Sequence, residues 1–365
     1  MYPIIDFHST WLAVNPIQGC INKCDYCFLQ SQNLTGIIPK IICSPQETID
    51  KLLIHKYYKN DTPLAFFTQT DAFVTSKNIK YLKEILKIIE MKNIRNPIIF
   101  ITKCRIPDSV IQMFSELQEK GFKIIAYLSY SGLENDIEKG INHENIRQNF
   151  INLFENQIPI IHYMRPIIPQ NGTFEKMHEV IKFTSKYTNI TIFVGLKVQK
   201  EFIDKIEFWE DIEDDAINKE CIYPSSALEN LEIIKKIFPN QKIFHANACG
   251  LASLLQESEK CGFFGNDECI KNDCTQKQRN LCKNFYSKKR TSEEDISYAL
   301  ITKCGHQNAS WYFDANNNLL SISSAEITIS EQAYIRNLLN VKLSVKTKKC
   351  YYWNTSINKN ERDER

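Results

Sequence analysis

The sequence predicts an α/β protein: a partial (β/α)6 TIM-like barrel followed by a smaller, cysteine-rich α+β extension. Two observations give the barrel. Apolar, β-rich runs alternate with amphipathic helical stretches through the first two thirds of the chain, the pattern of repeated β-α units on a parallel sheet. Six such units are legible, fewer than the eight of a closed barrel, so the sheet should stay open with its working face at the carboxyl ends of the strands. A third observation gives the extension. From about Ala246 the alternation gives way to cysteine-dense, turn-rich sequence, which divides the chain into a barrel over 1–245 and an extension over 246–365.

The six strands are expected at Trp11–Val14, Pro63–Thr68, Pro97–Thr102, Phe122–Ser129, Ile158–Pro166 and Ile190–Leu196. Between them QETIDKLLIHKYY, SKNIKYLKEILKIIEMK and PDSVIQMFSELQEKG repeat apolar residues every three and four positions, as helices coating a sheet do. Residues 201–240 read as helical, and their acidic run EDIEDD as a solvated face. KIFHANAC then reads as a final strand, WYFDANNNLLSISS as a hairpin with an Asn-rich turn, EQAYIRNLL as a helix and VKLSVKTKK as a strand.

A chain of 365 residues, 43% hydrophobic and 24% charged, can bury a large core. Its net charge of +2 sets up no global field for nucleic acid or anionic membrane, so any polyanion site must be local. The opening MYPIIDFHSTWLAVNP has no basic segment leading into a long apolar run, and no eighteen apolar residues follow one another. A cytoplasmic protein, neither exported nor membrane-spanning, is the expectation. Thirteen cysteines in such a chain point to metal or catalysis instead of disulfides.

Those cysteines form two groups. Cys20, Cys24 and Cys27 make C-x3-C-x2-C in a loop just after the first strand, within NPIQGCINKCDYCFLQ. A zinc knuckle supplies paired C-x2-C ligands, whereas three thiolates in one short loop can hold three irons of a 4Fe-4S cube and leave the fourth open. Cys249, Cys261, Cys269, Cys274 and Cys282 form the second group, with Gly262, Gly265, Asn266 and Asp267 supplying tight turns. Cys261, Cys269, Cys274 and Cys282 suffice for a metal centre, either a second 4Fe-4S cluster or a structural zinc. Cys249 is either a ligand in place of one of these or a thiol lining the active site.

The motif NPIQGCINKCDYCF, with Tyr26 before the last cysteine, resembles that of the radical S-adenosylmethionine (SAM) superfamily. FFTQTDAF, ITKC and MRPIIPQN extend the likeness to the branch that is similar to spore photoproduct lyase, over roughly residues 10–200. The resemblance implies that Cys20, Cys24 and Cys27 hold a 4Fe-4S cluster, that SAM chelates the open iron, and that an electron from a flavodoxin- or ferredoxin-type donor releases a 5'-deoxyadenosyl radical. It further implies SAM contacts for Lys103 in ITKC, Ser129 in LSYS and Arg165 in MRPIIP. Thr70 and Asp71 of TQTDAF stand where polar groups can meet the ribose or methionine, although Asp71 could instead cap the helix starting near Ser76.

One departure qualifies the likeness. The branch places a hydrogen-donating cysteine near the end of the second strand, and Phe67 and Thr68 stand there instead. Cys43 and Cys104 remain as thiols, each readable as a small buried hydrophobe. His162 and His245 read as hydrogen-bonded core residues. KNFYSKKR combines Lys283, Lys288, Lys289 and Arg290 with Phe285 and Tyr286, either a solvated basic surface or a contact for a nucleic acid backbone. The expected function is radical abstraction of hydrogen from a nucleic acid or nucleotide. A peptide-modifying radical enzyme and a non-catalytic, zinc-binding nucleic-acid-binding protein are the alternatives.

Overall fold

The computed structural model describes residues 3–8, 10–198, 203–210, 212–213, 216–217, 219, 221–262, 264, 269, 272–287 and 291–347. The chain forms two compact units, one of Met1–Asp6 with Trp11–Ala246 and one of Phe7–Thr10 with Asn247–Arg365.

In the first unit the strands are β1 (Ile5–Phe7), β2 (Leu12–Val14), β3 (Ile17–Gln18), β4 (Lys23–Cys24), β5 (Lys40–Ile41), β6 (Leu64–Phe66), β7 (Ile98–Thr102), β8 (Ile124–Leu128), β9 (Glu138–Lys139), β10 (Ile160–Ile167), β11 (Ile190–Gly195) and β12 (Lys242–Phe244). Eight of them make one sheet in the order β1-β2-β6-β7-β8-β10-β11-β12. From β2 onward every neighbouring pair is parallel. This is the expected partial α/β barrel. The six expected strands are present, shortened by one or two residues at most ends, and the KIF of KIFHANAC joins them as β12.

The helices α1 (Pro45–Ile54), α2 (Ser76–Met91), α3 (Asp108–Glu119), α4 (His143–Glu155), α5 (Phe174–Thr184) and α6 (Ala227–Ile237) connect these strands. Their starts follow local chemistry. Ser44, Thr75, Asn142 and Thr173 each accept a backbone N–H of the first turn of α1, α2, α4 and α5. The apolar stripes meet the strands through side chains such as Phe100 and Phe114, whose rings stack at 5.3 Å. No helix among the described residues is long and apolar enough to cross a membrane.

The helical reading of 201–240 holds only in part. Among the described residues, Ile203–Lys205 is a short 3-10 turn and α6 begins at Ala227. Between them Ile206, Phe208, Trp209, Ile212, Ile217 and Ile222 pack on a cluster of Leu133, Ile137, Ile168, Leu196, Val198 and Ala216. These apolar residues pack on side chains that follow the ends of β10 and β11, such as Ile168 and Leu196. Leu196 and Ile222 fasten it by exchanging N–H···O bonds of 2.9 and 2.8 Å. That approach requires Gly195, since a Cβ there would lie 2.0 Å from the Ile222 carbonyl oxygen. Gly195→Ala should therefore destabilise the unit by about 1–3 kcal/mol. It should also speed proteolysis within 203–222, and unchanged urea midpoint and cleavage rate would refute the fastening role.

His162 is the hydrogen-bonded core histidine expected of it. Its Nε2 lies 2.9 Å from the Tyr130 carbonyl, and its Nδ1 lies 3.0 and 3.2 Å from the Thr191 and Thr184 hydroxyls. Burial lowers its pKa to about 4, so the native state keeps the ring neutral while the unfolded state protonates near pH 6.5. Stability from this group is complete above about pH 6.5 and is lost as pH falls toward 4. Between pH 7 and pH 5 it should fall by about 2 kcal/mol. His55, also lowered to about 4 by burial, titrates in the same window. The comparison of urea unfolding with that of His162→Gln isolates the His162 share, and identical pH slopes would refute it.

In the second unit α7 (Asn247–Leu255), α8 (Gln276–Ser287), α9 (Glu293–Ser297) and α10 (Ile329–Leu339) accompany β13 (Trp311–Asp314), β14 (Leu319–Ile327) and β15 (Lys342–Thr347). The expected hairpin is β13–β14, paired antiparallel, with β15 parallel to β14. Its Asn-rich turn is closed by Asp314, which accepts the N–H groups of Asn316 and Asn317 at 3.0 and 3.2 Å.

Candidate active site

The loop carrying Cys20, Cys24 and Cys27 leaves β3 and is pinned at several points. Gly19 takes a φ of +103°, which only glycine adopts readily, and its N–H donates 3.1 Å to the Gln69 carbonyl beyond β6. Cys20 N donates to Leu34 O at 2.8 Å and Cys20 O accepts from Ile37 N at 3.0 Å. Cys24 lies on β4, which pairs antiparallel with β9 so that Cys24 faces Glu138. Cys27 opens the short 3-10 helix Phe28–Gln32. Gln30 folds back within it to donate to the Cys24 and Asp25 carbonyls at 3.0 and 2.8 Å.

All three cysteines line one open cleft, together with Thr70, Asp71, Lys103, Ser129 and Arg165. The sheet explains the convergence: Lys103 and Ser129 directly follow β7 and β8, Thr70 lies in the loop after β6, and Arg165 lies in the outer half of β10. Burial pushes the Cys20 thiol up to about 12 and raises Cys24 and Cys27 as well, while Lys103 opposes the rise at Cys24 and, with Arg165, at Cys27. Neutral thiols must lose protons to bind metal, and nearby cations favour the thiolates that result. Among the described residues no three His, Cys, Asp or Glu side chains converge as ligands of one metal ion. Three thiols from one short loop, lining a cleft beside Lys103 and Arg165, are a donor set that fits three irons of a cube.

The predicted polar residues are held by the protein itself. Asp71 is not a helix cap, since Thr75 caps α2. Its buried carboxylate instead accepts Phe73 N at 2.9 Å, Thr102 Oγ1 at 2.9 Å and Lys103 N at 2.8 Å, latching the end of β6 to the end of β7. Thr70 Oγ1 accepts from Asn78 Nδ2 at 3.4 Å. The Ser129 carbonyl accepts from Lys103 Nζ at 3.2 Å, and Arg165 donates 2.8 Å to the Tyr163 hydroxyl.

Glu138 is the site residue that sequence reasoning missed. It is fully buried, and its Oε1 accepts from Lys103 Nζ at 2.7 Å, from Ser131 Oγ at 2.7 Å and from the Tyr26 hydroxyl in a very short bond. One carboxylate thus joins the cysteine loop, through Tyr26 and the Cys24 pairing, to the ends of β7 and β8. In SGLENDIEKG nothing separates Glu138 from the exposed Glu134 and Asp136.

Of the remaining thiols, Cys43 is buried against Thr48 Oγ1 at 3.0 Å, and neither it nor Cys104 lines the cleft. Thr68 does line it, where the resemblance would place a cysteine, and Phe67 before it takes a φ of +63°, a strained value for an aromatic residue. In the second unit Cys269, Cys274 and Cys282 line a separate pocket, joined by Cys249 and not by Cys261. Lys288, Lys289, Arg290, Gly265, Asn266 and Asp267 lie outside the described residues.

No protein-family model matches the sequence, and no curated protein matches it. Solved structures do match. A double mutant of spore photoproduct lyase with bound AdoMet and dinucleoside spore photoproduct overlays with TM-score 0.51 at 13% identity, over 65% of this chain and 78% of that chain. The chain has the fold of spore photoproduct lyase. A Y→F mutant of the same enzyme overlays with TM-score 0.50 at 13% identity, over 66% of this chain and 79% of that one. Spore photoproduct lyase is a radical SAM enzyme, and the first structure shows that its fold admits AdoMet and a dinucleoside together.

Proposed function

We propose that the protein is a radical SAM enzyme, with a 4Fe-4S cluster on Cys20, Cys24 and Cys27 and SAM in the cleft those cysteines line. The observation that carries this reading is the meeting of the C-x3-C-x2-C thiols with Thr70, Asp71, Lys103, Ser129 and Arg165 in one cleft at the carboxyl end of a parallel sheet. When bound, the cluster supplies the electron that cleaves SAM to a 5'-deoxyadenosyl radical. Arg165 and the rim hydroxyls supply cationic and hydrogen-bonding groups for the methionyl carboxylate and ribose. Lys103 acts mainly through Glu138, holding the cysteine loop. Ile101, Ile141, Pro166 and Leu196 in the cleft wall exclude water from a reactive radical.

A reducing cytoplasm suits the twelve free cysteines among the described residues, and a flavodoxin- or ferredoxin-type protein would be the electron donor. The substrate class is a nucleic acid or nucleotide, supported by the fold shared with an enzyme that holds a dinucleoside. With Thr68 in the cleft wall and, among the described residues, no thiol lining it besides the proposed ligands, hydrogen abstraction that modifies a base is favoured over repair completed by a cysteine. The reading is tested by EPR of the reduced, anaerobically reconstituted protein. The cluster signal should change on adding SAM, and a signal indifferent to SAM would refute an open iron. Deuterium from labelled oligonucleotides should appear in 5'-deoxyadenosine, and label arriving only from peptide would reject the nucleic acid assignment.

A further inference from the structure

We propose that the second unit carries its own four-thiolate centre for a 4Fe-4S cluster, bound by Cys249, Cys269, Cys274 and Cys282, and that Cys261 is not a ligand. The pocket is built from two helices and the loop between them. Cys249 comes from α7, Cys282 from α8, and Cys269 and Cys274 from the intervening segment, and all four line one small pocket.

The surroundings of Cys282 are those of a bound thiolate. Its Sγ accepts the Glu259 backbone N–H at 3.4 Å and Gln278 Nε2 at 3.7 Å. Such N–H···S bonds stabilise sulfur that carries negative charge and tune the centre it binds. Gln278 is held for this by a second bond to the Glu257 carbonyl at 2.6 Å.

Cys261 is buried but otherwise engaged. It sits in a turn that the Glu259 carboxylate organises, accepting Cys261 N at 2.7 Å on Oε2 and Phe264 N at 2.9 Å on Oε1. Gly262 N donates to the Tyr286 hydroxyl at 2.7 Å, and the rings of Phe264 and Tyr286 stack at 5.8 Å. The turn therefore presents Glu259 and Phe264 to the pocket and keeps the Cys261 side chain out of its lining.

Four thiolates suit either zinc or an iron-sulfur cube. The four thiols share one pocket with Glu259, Phe264, Gln278 and Arg279. Iron with sulfide, in place of zinc, is what a cluster requires of this pocket. Four protein ligands would leave no open iron, so this centre would carry electrons or brace the unit and would not bind substrate.

The test uses the full chain with Cys20, Cys24 and Cys27 replaced by alanine, so its outcome is independent of the radical SAM reading. Purified without oxygen, this variant should retain about four irons and four sulfides per chain. Adding Cys249→Ala should remove them, and adding Cys261→Ala should not. Circular dichroism checks the fold of each variant. If Cys249→Ala does not fold, Cys274→Ala, at a partly exposed position, replaces it with the same expected loss. About one zinc per chain in place of iron would overturn the cluster, and so would absence of both metals. Loss of iron in Cys261→Ala with retention in Cys249→Ala or Cys274→Ala would overturn the ligand set.

Discussion

Replacing Cys20, Cys24 or Cys27 singly with alanine should reduce SAM cleavage to background, a loss of at least about 10⁶-fold. In the proposed cluster each thiol would hold a different iron, so two ligands would leave a second iron open and the cube labile. The three do not share one environment. Cys24 is clamped through the β4–β9 pairing, whereas Cys20 and Cys27 are set by loop contacts. The loss should nonetheless be equal at all three, because the requirement is chemical. Release of 5'-deoxyadenosine and iron content, measured together on each variant, check this. A single variant that keeps iron and substantial cleavage would remove that cysteine from the ligand set.

Glu138→Ala should lower the unfolding free energy by about 3–5 kcal/mol, the usual cost of deleting one partner of a buried ion pair. The carboxylate is fully buried and Lys103 only 15% exposed, so solvent screens the pair little. Removing it strands the Lys103 ammonium and leaves the Ser131 and Tyr26 hydroxyls without their acceptor. Because Tyr26 lies between Cys24 and Cys27, the same variant should reconstitute with less iron. Lys103→Met combined with Glu138→Leu should regain much of the stability, since no lone charge is then buried. Urea unfolding of the three proteins decides the matter. A Glu138→Ala protein within about 0.5 kcal/mol of wild type would show that the network does not hold the loop.

The barrel was legible because parallel strands buried on both faces read as continuous apolar runs, as in PIIFIT and KIIAYLS, and the amphipathic helices between them set the period. The cysteine loop was legible for a different reason: ligand spacing is local, and C-x3-C-x2-C needs no tertiary knowledge. Glu138 was not legible. Its role depends on a two-residue strand pairing with Cys24 across 114 positions of chain, and isolated acidic residues in a turn carry no mark of burial. Residues 203–222 misled because Ile, Phe and Trp at helix-like intervals serve equally to cover a sheet end. The place of Cys249 was left open in the sequence, since KIFHANAC reads as one strand, whereas the strand ends at Phe244 and Cys249 lies on α7, with pocket partners that come from later in the chain.

The most direct test of the central claim is release of 5'-deoxyadenosine by the wild-type protein, purified and reconstituted without oxygen and given dithionite and SAM. The expected result is brown protein that forms the nucleoside over repeated turnovers, with none formed when dithionite or SAM is omitted. Protein that takes up no iron and sulfide on reconstitution and releases no 5'-deoxyadenosine would contradict it.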